Sequence, residues 1–123
     1  MKRILGWVAA AALMLWSIAA SAQDLEVAEA KLGKGIQNRA IADETTTFAV
    51  NEKAYLWVRV TGGPGDIKVN WSVGDHHDSV PLKIGGSPWR TWANKTLWQA
   101  GEWKVTITDG SDKVLKELTF QVQ

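Results

Sequence analysis

The chain has 123 residues, no cysteine, and fourteen basic against thirteen acidic side chains. That is room for one modest core, and it excludes disulfides, thiolate nucleophiles and cysteine-ligated metal centres. A charge balance so near zero gives no electrostatic reason to seek nucleic acid or anionic lipid, so neither is expected as a partner.

The chain begins with a segment that reads as an address. Lys2 and Arg3 precede an uncharged apolar stretch from Ile4 to Ile18, and Ala20-Ser21-Ala22 closes it with small residues. This is the three-part form of a secretory signal peptide, with cleavage expected after Ala22. A retained anchor is the alternative, but the apolar run is short for a bilayer and no basic cluster follows it. Residues 1–22 are therefore read as a cleaved leader and 23–123 as a single domain with no stable membrane span. Losing Lys2 and Arg3 leaves twelve basic against thirteen acidic residues, a net charge of −1. A cysteine-free mature chain behind such a leader suits the periplasm, or the medium outside the cell.

From there the pattern is one of short strands. Leu25 to Leu32 is ambiguous between helix and strand, and strand is favoured because Gly33 and Gly35 leave too few residues for a helix to gain much. Gly33 to Glu44 has little periodicity and reads as a connection with one weak strand near Ile36. Thr45 to Val50 is β-branched and strand-like. Ala54 to Thr61 is the first strong strand, with Leu56, Val58 and Val60 on one face and Tyr55, Trp57 and Arg59 on the other. After the Gly62-Gly63-Pro64-Gly65 turn, Ile67, Val69, Trp71 and Val73 alternate with polar residues. Gly74 to Asp78 reads as a polar hairpin loop, and Val80 to Ile84 as a strand whose Pro81 marks a sheet edge. Gly85 to Pro88 turns the chain into Trp89–Leu97, and Gln99 to Gly101 turns it again. Trp103 to Thr108 and Val114 to Val122 complete the pattern around an Asp109-Gly110-Ser111-Asp112 turn. Turn signals every eight to twelve residues and no convincing helix predict an all-β fold. The expected architecture is an immunoglobulin-like, two-sheet antiparallel β-sandwich of about seven strands, with a small β-barrel as the alternative.

Two sets of residues are candidates for function. The first is aromatic and cationic: Tyr55, Trp57 and Arg59 on one strand, and Arg90 and Trp92 on another. If the two strands are neighbours, these side chains form a platform of the residue types that dominate binding hot spots. The other reading has the arginines lying over the rings as cation–π lids that finish the core. Trp71, Trp103 and Trp89 are expected in the core, while Trp98 has no assignable face. The second set is Asp75-His76-His77-Asp78, a weak metal candidate through His76 and His77. Neighbouring residues in a strand point apart, and only two histidines are available, so no metal and no cofactor are expected. The carboxylates lie scattered on turns and outward strand positions, and short loops leave little room for a substrate cleft. Gly62-Gly63-Pro64-Gly65 is followed by no helix that would cradle a phosphate.

One stretch also resembles a known family. Asn70-Trp71, Val80-Pro81-Leu82, Gly85-Gly86-Ser87, Trp89-Arg90-Thr91-Trp92 and Gly101-x-Trp103-x-Val105 are similar to the bacterial family known as domain of unknown function 2914. The resemblance runs from Phe48 to Val122, and Asn38-Arg39 is similar to the start of that family's Asn-Arg-Glu-Pro segment. The chain departs from it in two places: Val69 stands where the family has histidine two residues before the tryptophan, and Ala40-Ile41 stands where it has Glu-Pro. The resemblance implies an exported or membrane-tethered β-domain and no particular activity. The residues themselves point to a non-catalytic binding or protein-interaction module whose partner is a protein or glycan of the cell envelope. An accessory subunit of an envelope assembly is the alternative, and a small secreted hydrolase is a third and lesser one.

Overall fold

The computed structural model describes residues 24–123, so the leader expected over residues 1–22 lies outside the described residues. Nine strands follow in order: β1 (Glu26–Gln37), β2 (Ala40–Glu44), β3 (Thr47–Phe48), β4 (Lys53–Thr61), β5 (Gly65–Val73), β6 (His76–Ile84), β7 (Trp89–Thr96), β8 (Gly101–Asp109) and β9 (Val114–Val122). They form a four-stranded sheet in the order β2-β1-β4-β7 and a five-stranded sheet in the order β3-β9-β8-β5-β6. Every pairing is antiparallel except the short parallel one between β3 and β9. Both sheets are open, so the fold is a two-sheet β-sandwich and the barrel alternative falls.

The core is the set of inward residues that alternation marks out. Leu56, Val58 and Val60 of β4 meet Ile67, Val69, Trp71 and Val73 of β5 and Trp103, Val105 and Ile107 of β8, all buried. Phe120 is the hub. It stacks on Trp103 at 6.1 Å and meets Trp71 and Phe48 edge-on at 6.1 and 5.4 Å. Each of these large side chains contributes about 1.5–3 kcal/mol by leaving water, which a cysteine-free domain of this size needs. Trp103 Nε1 donates to the Gln99 carbonyl at 2.8 Å, whereas Trp71 Nε1 is buried without a partner.

Three segments differ from the sequence expectation, each for a local reason. The Gly33–Glu44 stretch is no loose connection. β1 runs on through both glycines, and the chain reverses at Asn38-Arg39, whose positive φ angles of 53° and 62° make a two-residue hairpin into β2. Periodicity is weak there because the strand coils back on itself. A Cβ at Gly33 would stand 2.6 Å from the Ala42 carbonyl oxygen and 2.7 Å from Ile41 Cγ1. Of Thr45 to Val50 only Thr47 and Phe48 pair with a strand, and loop hydrogen bonds such as Val50 N–H to the Gln123 carbonyl hold the rest. The turn expected from Gly74 to Asp78 is shorter, because Gly74 takes a positive φ of 56° and lets the strand resume at His76. Pro81 does lie in β6, the outer strand of its sheet. Asp109 closes the β8–β9 turn by accepting the Ser111 and Lys113 N–H groups at 2.8 and 3.0 Å. Those bonds, Lys113's first, hold its carboxyl below the usual value.

Candidate functional site

Antiparallel register brings the aromatic and cationic residues together. β4 and β7 are neighbours, and Trp57 lies opposite Trp92, Arg59 opposite Arg90, and Tyr55 opposite Asn94. Opposed side chains share a face of the sheet. Leu56, Val58 and Val60 occupy the inner face, so Tyr55, Trp57, Arg59, Arg90 and Trp92 occupy the outer one. β1 continues it on the other side of β4, with Glu29 opposite Arg59 and Lys31 opposite Trp57.

The face is not uniformly open. Trp57, for which the sequence leaves both an exposed platform and a covered ring open, is only 6% exposed. Alternation shows which face a side chain takes and not what lies above it. Here the β1–β2 hairpin curls over: the Arg39 carbonyl accepts the Trp57 indole N–H at 2.9 Å, and Lys31 Nζ sits 5.8 Å from the ring centroid. Arg59 is half-buried and donates from Nε to Glu29 Oε1 at 3.0 Å. That bond, with the guanidinium charge behind it, holds the Glu29 carboxyl below its ordinary 4.5. Tyr55 is half-buried beside this cover. Trp92 keeps 36% of its surface, and Arg90 is exposed with no ion pair among the described residues. The open part of the platform is therefore its β7 half.

Two more tryptophans are exposed, one at each end of β7. Trp89 was expected in the core and is 40% exposed. It has the inward parity but stands at the end of an outer strand, where its ring lies on the backbone of Gly85; a Cβ there would meet the ring at 2.7 Å. Trp98, which alternation left unassigned, follows β7 and is 43% exposed. It meets His76 edge-on at 4.8 Å and Trp103 at 5.9 Å. Neither position was legible in the sequence, because strand-end residues lose the constraint of a facing sheet.

The two histidines open β6 on successive positions, with His76 opposite Val73 and His77 opposite Ser72. They therefore point to opposite faces: His76 toward Trp98, and His77 into a depression of about 510 Å³ that Ser72, Lys104, Glu117 and Thr119 also line. Among the described residues no three of His, Cys, Asp and Glu converge on a point that would hold an ion. Asp78, two residues on, pairs with Lys95 of β7 and ties the open edges of the two sheets together. The Lys95 ammonium, through its hydrogen bond and then its charge, holds the Asp78 carboxyl below its ordinary 3.8. With Arg59 on Glu29 and Lys95 on Asp78, Arg90 is the cation beside Trp92 on β7, and it has no acidic partner among the described residues.

Fold and surface together define a small all-β sandwich domain with an aromatic and cationic face around one outer strand. Residues 64–122, the stretch from β5 to β9, match the family model described as "Protein of unknown function (DUF2914)", the family that the sequence resembles. The matched stretch holds Arg90 and Trp92, while Tyr55, Trp57 and Arg59 precede it. A comparison with curated proteins found no match.

Proposed function

We propose that this protein is a non-catalytic binding or protein-interaction module of the periplasm, or of the space outside the cell, that uses the β7 half of the aromatic face. One observation carries the reading. Arg90 and Trp92 stand two residues apart on an outer strand, both exposed, and Arg90 has no acidic partner among the described residues. Tryptophan and arginine are the side chains that give most binding energy when a partner desolvates them. The covered half, with Trp57 under the hairpin and Arg59 on Glu29, supports it as a rigid base. The partner is a protein or glycan of the cell envelope, and an accessory subunit of an envelope assembly is one form such a module takes.

The test compares wild type with an Arg90→Ala, Trp92→Ala double variant as baits in a solubilised cell envelope, alongside a glycan array. Loss of a specific protein or glycan from the variant supports the reading. If both baits recover the same proteins and neither binds a glycan, the face is not a recognition surface. The export half is checked separately. N-terminal sequencing of the protein from an osmotic-shock fraction is expected to begin at Gln23, and a species that retains Met1 in the cytoplasm overturns it.

A further inference from the structure

Two open sheets have four outer strands, and they are not alike. β3 is two residues long. β2 is five, and Asp43, with a positive φ of 52°, breaks its extended backbone. β6 is nine, but Pro81 at its centre has no N–H to offer, and Lys83 stands two residues on. Short length, irregular backbone, proline and charge are the devices that keep a sheet edge from pairing with another chain. β7 is eight residues, Trp89 to Thr96, without proline, glycine or acid. Its one lysine, Lys95, turns inward to Asp78.

The backbone of β7 is also aimed outward at the right residues. The Leu97 N–H donates to the Glu52 carbonyl at 2.9 Å, and the register from there to Trp89 opposite Val60 is unbroken. In an antiparallel pair, bonded and non-bonded positions alternate. Thr91, Ala93 and Lys95 therefore spend their backbone groups on β4, while Arg90, Trp92, Asn94 and Thr96 present theirs at the open edge. All four are exposed. The same four side chains lie on the outer face, so a strand laid along β7 meets backbone donors and acceptors together with Arg90 and Trp92.

We infer that β7 is a docking edge that takes an extended, acidic segment of another protein as a fifth strand of the four-stranded sheet. This rests on the reading of the β7 face as a recognition surface and names its occupant. Main-chain hydrogen bonds supply affinity in such strand addition, and alternate side chains supply choice. An added strand sets its side chains directly beside those of β7 on the same face. A carboxylate beside Arg90 supplies the ion pair that no described residue makes, and an apolar side chain two positions along covers Trp92. A second copy of this chain fits less well. β7 carries no acid, so two copies joined edge to edge bring nothing to either Arg90.

The probe is the synthetic eight-residue peptide Glu-Thr-Val-Thr-Glu-Thr-Val-Thr, which as a strand sets glutamate and valine at successive places on one face; it is titrated into the exported, purified protein and followed by amide NMR. Expected are saturable shifts and slowed hydrogen exchange at Arg90, Trp92, Asn94 and Thr96, with little change at Thr91, Ala93 and Lys95. The same peptide with lysine for glutamate is expected to bind roughly tenfold more weakly, and Arg90→Glu to invert that preference. Methylating alternate peptide nitrogens is expected to abolish binding. Because Arg90 is exposed its variant folds; Asn94→Pro, which removes one outward N–H from the edge, is the second variant and is expected to bind less. The inference is overturned if the lysine peptide binds as well, if the shifts fall on β6 or elsewhere, or if nothing saturates. It is also overturned if the edge amides are already protected in a dimer of the free protein. If the bait experiment loses its partner in the double variant while the peptide fails, strand addition falls and the recognition face stands. If the bait experiment fails as well, both fall.

Discussion

Trp57 and Trp92 are the same residue type, opposite each other on adjacent strands and on one face of one sheet, yet one is 6% exposed and the other 36%. Strand pattern and register give them equal claims to the surface. What separates them is position across the sheet. β4 is interior, with β1 on its far side, and β1 carries the hairpin whose Arg39 carbonyl binds the Trp57 indole. β7 is the sheet's last strand, and the described residues place nothing beyond it. An aromatic pair that would have made a symmetric platform becomes half foundation and half face. The foundation fixes the geometry, and the face is left available.

That division sets the size of each substitution's effect. Trp57→Ala removes a buried indole and leaves a cavity under the hairpin, with an expected loss of about 3–5 kcal/mol by urea unfolding. An effect below the threshold for surface residues would mean that the hairpin does not cover the ring in solution. Gly33→Ala probes the same cover from above. Its Cβ would fall against the Ala42 carbonyl, and backbone has to move to admit it, for an expected cost of about 1–3 kcal/mol. The hairpin that moves also uncovers Trp57, so the variant's tryptophan emission is expected to shift red and to be quenched more readily by acrylamide.

The sequence made part of this legible. Alternation placed Leu56, Val58, Trp71 and Trp103 inward, and all are buried. It also put Tyr55, Trp57 and Arg59 on the face opposite the core of β4. It missed the cover because Gly33 to Glu44 shows no period: a strand that coils over its own sheet is held by glycine, two αL residues and backbone contacts, none of which writes a hydrophobic pattern. Parity misplaces Trp89 because it continues along a strand even after the opposing sheet has ended. The two histidines looked like loop residues because a polar run reads the same in a turn and on an exposed strand. The local period reports a residue's face and leaves its lid unstated.

The next effect is in pH, and it is smaller because the groups are exposed. The Arg59 bond lowers the Glu29 pKa in the folded state below the ordinary 4.5 of the unfolded chain. A lowered folded value means stability that is present above the unfolded pKa and lost as pH falls through the folded one. Asp78, lowered from 3.8 by Lys95, behaves alike at slightly lower pH. Urea midpoints are therefore expected to fall as pH drops below about 4.5. Glu29→Gln is expected to sit slightly below wild type near neutral pH and to converge with it in acid. A constant gap across that range would mean that the pair makes no titratable contribution and that Arg59 is held by packing alone.

Trp92→Ala has the smallest expected effect on stability and the largest on recognition. It deletes a ring already one-third in water, so the loss is that of a cross-strand pair, about 0.2–1 kcal/mol. A double-mutant cycle with Trp57→Ala measures how far the two rings act as one unit. A coupling near zero means that the foundation holds its shape without the face, and any loss of binding in Trp92→Ala then belongs to the contact itself. A large coupling means that the two halves are one packed layer. The β7 face would then be a part of the core that happens to touch water, and recognition would have to be sought elsewhere on the sandwich.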